Sequence, residues 1–476
     1  MLQDADALPQ LIGDWKAVDQ WQAHINQLFY RFRGDQVRNF YQTFASADYR
    51  LAHALAADYF EQVTRRDKVS QPQQPAAGSR PLTVVELGPG NGNLAASFLS
   101  HLHTLDREGR VYPRVRYVLV DWEQTVLDGA WNYPGLAEHR DRVQMVRSTI
   151  DHIEGLADGA VDRIFCNELW NDLATKLMTR QGGDIEEEFL RPNLSDVLHA
   201  KIEDWAGFIR AFEAKDADQL KQFPPFFDDL VWEREYRPVE WKDVPFRKTI
   251  TEFLRRIDDQ VVVPVNIGAY LTMREAKRLL APDAVGFSSF DAGAADHKVL
   301  NDPDKPCSGQ FGGQQSFMVN FALAEAVAKQ IGGVTASIEP QREFIGRSLG
   351  TNVLTLMDLL ATHPTAGHQL EPWEQDRLIL KTIKALNLTY ESPYATKMDF
   401  PIRANVAFEA REALQALAEE LKPAGLPDTV SYLTEEELTR AARDLEDVGY
   451  DPQMFHIALT APPAPVDYYH LSIRPS

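Results

Sequence analysis

Thr83-Val-Val-Glu-Leu-Gly-Pro-Gly-Asn-Gly-Asn-Leu94 decides the fold. The run from Thr83 to Leu87 has no turn former and is rich in β-branched residues, as expected of a strand covered on both faces. Gly88, Gly90 and Gly92 follow at once, and Leu94 to Leu102 carries apolar residues near helical spacing. Without Cβ atoms, such a turn lets main chain pass close to a ligand. The helix start then aims N–H groups at that ligand.

The charges around the turn narrow the ligand. A dinucleotide site has G-x-G-x-x-G with an acid about 20 residues on. Here the third glycine comes one residue early, and the next strand, Tyr117-Val-Leu-Val-Asp121, ends in its acid 33 positions after Gly88. A carboxylate at Asp121 suits ribose hydroxyls. Glu86 sits beside the loop, where it opposes a pyrophosphate but suits a sulfonium and an α-amino group. The expected cofactor is therefore S-adenosyl-L-methionine rather than NAD. Trp122 would lie against adenine, and Asp151, past the third strand, would meet the adenine amino group or cap a short helix.

Outward from this motif, residues 82–178 alternate strand and helix, with strands at 83–87, 116–121, 142–147 and 161–166. The pattern predicts a doubly wound α/β sheet, Rossmann-like, with its site at the carboxyl ends of the strands. Glu86, Asp121, Asp151 and Asn167 all fall there. Residues 1–80 read as a helical section (15–32 and 49–63) with an aromatic stretch at 38–48 and a polar linker at 70–81. The core would run over 81–340, interrupted after its fourth strand by an aromatic, charged insertion at 180–270 that builds a lid, an acceptor pocket or simply packing. Strands are expected again at 284–290 and 334–338, around a helix at 321–331. Residues 341–476 read as a mostly helical extension with a capping box at Thr434-Glu-Glu-Glu437 and late strands at 455–460 and 468–473.

Composition bounds the rest. The chain has 476 residues, 44% hydrophobic and 25% charged, and a net charge of −21. That charge argues against a nucleic-acid partner and fits solubility or a cationic protein segment. No apolar run is long enough for a membrane span. Two cysteines give no disulfide framework, and the histidines have no metal-ligand spacing, so no metal is expected. The cytosol is the simplest compartment. A homodimer is one state open to the chain.

Asn167-Glu-Leu-Trp-Asn-Asp-Leu-Ala174 is a second marker. Together with Glu86-Leu-Gly-Pro-Gly-Asn-Gly92 it resembles the MidA-like class I methyltransferases, over roughly residues 40–350. Mitochondrial members of that family are complex I assembly factors that methylate a protein arginine. Asn167, Glu168, Leu169, Trp170 and Leu173 match the family's Asn-Glu-Leu-aromatic-Asp-Ala-Leu-Pro. Its acid falls on Asn171, with Asp172 one place on. Phe287-Ser-Ser-Phe-Asp-Ala-Gly293 is similar to the family's Asp-Tyr-Gly strand. Gln314 to Phe321 departs from Asp-x-Thr-x-His-Val-Asp-Phe at Ser316, Met318 and Asn320, and Ala45-Ser-Ala-Asp48 only echoes the N-terminal signature. The resemblance implies a divergent methyltransferase. Gly88, Gly90 and Gly92 would pass the methionine portion, and Glu86 would offset its charge. Asn167 would brace the loop. Glu168 and Asp172 would serve as the acids for a guanidinium acceptor on a partner protein. A small-molecule acceptor, or a non-catalytic assembly role, would be the alternatives.

Overall fold

The structure is a computed structural model that describes residues 10–33, 49–70, 80–311, 313–368, 370–386, 407–421 and 432–476. The aromatic stretch at 38–48, with its echo at Ala45–Asp48, and residues 71–79 of the linker lie outside the described residues.

Seven strands form the continuous path of the eight-stranded main sheet: β1 (Leu82–Leu87), β2 (Val115–Asp121), β3 (Val143–Arg147), β4 (Arg163–Asn167), β5 (Gly286–Ala294), β6 (Val334–Pro340) and β7 (Asp467–Pro475); the eighth, the two-residue Val319–Asn320, pairs parallel with the end of β5. Their spatial order is β3-β2-β1-β4-β5-β7-β6. Neighbours from β3 to β5 are parallel, and β7 runs antiparallel to both β5 and β6. β1 is central and apolar on both faces, so Val85 and Leu87 enter one core while Leu82 and Val84 enter the other. This is the doubly wound sheet expected of class I methyltransferases. The strand order reverses between β1 and β4, where ligands of such sheets sit.

Three helices matter for the site: α1 (Val18–Arg33), α2 (Arg50–Ser70) and α3 (Asn93–Leu105). α3 follows the glycine turn and, with α2, packs on the main sheet through Phe98, Leu99, Leu55 and Tyr59. α1 belongs elsewhere. It packs on a separate antiparallel sheet built from Lys176–Gln181, Asp184–Leu194, Leu230–Pro238 and Val263–Val265, to which Gln10–Leu11 and Lys16–Ala17 add short strands. The described residues among the first 80 thus divide between two cores.

The insertion holds a β lobe whose strands start at Lys176, with short helices such as Trp205–Ala214 and Arg247–Leu254 between them. Two expectations need correction. The stretch read as a strand at 455–460 is helix, Pro452–Thr460, because Asp451 caps it through the Gln453 and Met454 N–H groups and Pro452 opens its first turn. Residues 341–476 are not one extension: Asp467–Pro475 is a strand of the main sheet, registered against β5 from Phe287↔Ile473 to Gly293↔Asp467. The helices before it form a lobe inserted between β6 and β7, with its own core of Leu354, Leu359, Leu380, Ile383 and Leu445.

Candidate active site

Strand register levels the candidate residues. Leu87 lies opposite Val120 and Cys166, and Asn167 opposite Phe290. Gly88, Asp121, Glu168 and Asp291 therefore follow at or beside the same edge of the sheet.

Gly88, Gly90 and Gly92 have φ of 66°, 52° and 83°, a region that side chains with a Cβ rarely enter. Their surroundings differ. A Cβ at Gly92 would lie 2.7 Å from the Ala130 carbonyl oxygen, so this glycine serves packing. A Cβ at Gly88 would approach Leu169 at 2.9 Å, which places the turn after β4 directly against the glycine loop. A Cβ at Gly90 would meet nothing within 4 Å, so bare main chain there faces open space.

Glu86 is 2% exposed, and its Oε2 accepts a 2.6 Å bond from the Tyr117 hydroxyl. Burial pushes its carboxyl up to about 8, against the lowering effect of that bond. Asp121 accepts from the Glu123 N–H at 2.9 Å, and burial raises it to about 7. Trp122 stands at the surface. Asp151 lies exposed in the turn bridged by Thr149 and His152, and caps no helix.

The turn after β4 is strained. Glu168 has φ 47°, unusual for a residue with a side chain, and its N–H donates to the Phe290 carbonyl at 2.7 Å. Backbone strain of this kind costs on the order of 1–3 kcal/mol and clusters at functional sites. Asn167 donates to Glu168 Oε1 at 3.4 Å. Lys176, a conceivable partner for Glu168, is engaged by Asp19 and Glu187. Asp172 ends the short Trp170–Asp172 turn and accepts from the Tyr30 hydroxyl at 2.5 Å. Burial raises its carboxyl to about 7.

The structure brings in groups that sequence reasoning did not select. Asp291, fully buried in β5, accepts from the Asn171 and Ala292 N–H groups and is raised by burial to about 8. Its signal was legible: an acid directly opposite the Asn167 turn at a strand end. Tyr30 and Gln314 carried no such signal. Gln314 donates to the Tyr30 oxygen at 3.2 Å. In the divergent segment, Asn320 caps the helix Phe321–Ile331 through the Leu323 N–H, a structural duty.

Four buried acceptor oxygens, Asn167 Oδ1, Asn171 Oδ1, Asp172 Oδ1 and Gln314 Oε1, receive no hydrogen bond from the described residues. Buried polar atoms rarely stay unpaired. Four carboxyls whose charge is suppressed by burial and four oxygens lacking donors suit a cationic, donor-rich occupant. A sulfonium cofactor with an ammonium tail meets the charge side of that description, and the bare loop at Gly90 leaves space for it. Beside this edge opens a cavity of about 510 Å³, lined by Arg31, Glu123, Thr125, Lys215 and Asp216 among others. A second cavity, about 560 Å³, lies towards β6 and β7, beyond the rings of Trp170, Phe321 and Tyr469.

The sheet order and this edge define a class I methyltransferase. Residues 55–285 match the model of a family described as "Putative S-adenosyl-L-methionine-dependent methyltransferase". No curated protein matches the sequence. Among solved structures, the chain is similar to a COG1565 superfamily protein from Burkholderia thailandensis bound to S-adenosyl-homocysteine. Identity is 14% and the TM-score 0.44, with 88% of this chain and 87% of that one covered. A native structure of a COG1565 superfamily protein from the same organism gives 13% identity and a TM-score of 0.43, covering 97% of this chain and 87% of that one. A SAM-dependent methyltransferase from Aquifex aeolicus gives 11% and 0.25, covering 59% and 82%. Among the described residues, no helix is long and apolar enough to cross a membrane.

Proposed function

We propose that this S-adenosylmethionine-dependent methyltransferase acts on an arginine of a partner protein. The four buried acceptor oxygens that receive no hydrogen bond from the described residues carry the reading. A guanidinium presents five N–H donors in one plane and a charge that neighbouring carboxylates balance. In this reading Glu168 fixes its orientation by paired bonds, and Asp172 supplies a second acceptor. Gly88, Gly90 and Gly92 pass the amino-acid end of the cofactor, Glu86 offsets its charge, Asp121 holds the ribose, Trp122 and Asp151 border adenine, and Asn167 braces the turn. The bound cofactor supplies an electrophilic methyl with a neutral leaving group. The protein's own task is then to hold donor and acceptor in line and to keep water out.

The aromatic insertion does not favour the small-molecule alternative. Phe226 and Phe227 are buried, and Phe223 and Trp232 pack against the same core beneath α1, so these rings fill a core rather than line a pocket.

The test is incubation of a protein extract with methyl-labelled cofactor. Label in protein, recovered as methylarginine and absent with Glu168→Gln, is the expected result. Label only in extractable metabolites would reject the arginine acceptor. Full biological activity of Glu168→Gln without methyl transfer would reject a catalytic role.

A further inference from the structure

α1 lies outside the main sheet, yet it lays a buried polar stripe across the turn after β4. Gln22, Asn26 and Tyr30 are spaced by four residues and share one helix face. Gln22 donates to the Asn171 carbonyl at 3.2 Å and accepts from the Thr175 N–H at 2.9 Å. Asn26 exchanges bonds with the main chain of Gln315 at 2.9 and 2.8 Å. Tyr30 donates to Asp172 Oδ2 at 2.5 Å. An apolar face would pack a helix as well or better, because buried polar networks add specificity of position more readily than stability.

We propose that Tyr30 is a positioning residue that sets the charge and aim of Asp172, so that α1 completes the acceptor side of the site. This inference rests on Asp172 being the acceptor-side acid. The direction of the hydrogen bonds carries it. Gln314 donates an amide N–H to the Tyr30 oxygen, so the tyrosine's own proton is committed to Asp172. That bond occupies Oδ2. Oδ1, shielded from water, receives no bond from the described residues and is the atom left to face an acceptor. A methylated nitrogen must shed a proton. Its N–H proton would pass to Oδ1, with the electron pair staying on nitrogen.

The groups facing Asp172 are Tyr30 from α1, Gln314 from the hairpin before Phe321–Ile331, and Asp291 from β5; Asp121 of β2 faces Tyr30 in turn. Glu168 lies four residues earlier on the same turn. Among the described residues, these neighbours of the carboxylate are neutral donors or other acids. The Tyr30 bond favours its ionised form, and burial opposes it.

The experiment is a double-mutant cycle of Tyr30→Phe and Asp172→Asn on the full chain, read as thermal unfolding at pH 5.5 and 8.5. A hydrogen bond to an ionised acceptor is about twice as strong as a neutral one. The coupling between the two positions should therefore grow about twofold at the higher pH. Equal coupling at both pH values would mean packing alone and overturn the proposal. If Tyr30→Phe fails to fold, Gln314→Met in the same cycle should show a smaller rise of the same sign, and a flat response there would also overturn it. Calorimetry with S-adenosylhomocysteine separates the two readings. Tyr30→Phe should bind it as wild type does, and loss confined to that variant would count against the proposal. Failure of the wild type itself would instead reject the cofactor site, and the cycle would still decide the role of Tyr30.

Discussion

The helical lobe between β6 and β7 and the turn after β4 use the same side chains to opposite ends. In the lobe, Thr355 and Asp358 close a reciprocal capping box, each side chain accepting from the other's N–H at 3.0 and 2.8 Å. Thr434 and Glu437 do the same at 3.3 and 2.8 Å. Every carboxylate in these boxes has a local donor. At the turn after β4, Asp172, Asn171 and Asn167 keep acceptor oxygens with no donor among the described residues, and Glu168 sits in a left-handed conformation. Sequences that satisfy local rules specify structure, and the places where a folded chain declines to do so are where its chemistry is sought.

The largest expected effect is on binding. Gly90→Arg should abolish S-adenosylhomocysteine binding in calorimetry, because the side chain would grow into the space that a Cβ at this position finds open. Retained binding would remove the cofactor assignment from this turn. Next, Glu168→Gln should lower methyl transfer about 100-fold, on the order of 3 kcal/mol, the scale for losing one preorganised electrostatic contact. It should leave the unfolding midpoint nearly unchanged. A fully active variant would make this turn structural, like the lobe.

Gly92→Ala and Gly90→Ala sharpen the contrast within three residues. Both pay about 1–2 kcal/mol for left-handed backbone, but only the alanine at position 92 also collides with the Ala130 carbonyl. Chemical denaturation should show the larger loss at 92; equal losses would mean that neither glycine is held by its neighbours.

The pH response comes next. Burial raises Glu86 and Asp291 to about 8 and Asp121 and Asp172 to about 7 in the folded protein. Their contribution to stability is fully present below the unfolded carboxylate range and is lost as pH rises through about 8. The buried His24 and the half-buried His53 are lowered by burial to about 4 and 3, so their effect is confined below about pH 6.5, with the opposite sign. Unfolding midpoints should therefore fall between pH 6.5 and 8, and Asp291→Asn should flatten that slope. The smallest effect belongs to the lobe: Thr434→Ala should cost about 1 kcal/mol, independent of cofactor.

The main sheet was legible because parallel strands buried on both faces leave apolar runs, as in β1, β2 and β4. The β lobe was not. Its strands read as charged, with Glu186 and Glu188 in Asp184–Leu194. Glu188 is matched only across the sheet, by Tyr236 at 2.8 Å and Arg234 at 3.2 Å, and such pairing leaves no local trace. Phe455 to Thr460 is a short apolar run compatible with strand or helix; Asp451 and Pro452 held the answer. At the site, the acids at strand ends could be picked from position alone. Tyr30 could not, since on α1 it reads as one more core aromatic.

The placement of β7 bears on how the chain is made. β6 pairs with β7 and not with β5, so a nascent chain that has just emitted Val334–Pro340 holds a strand with no neighbour to join. The open edges of β5 and β6 must wait while residues 341–466 are synthesised, and only then can Asp467–Pro475 slot between them. Such long-range closure is slow and leaves edges open to wrong partners. Early folding of the helical lobe would shorten the search by bringing the final strand close to its gap.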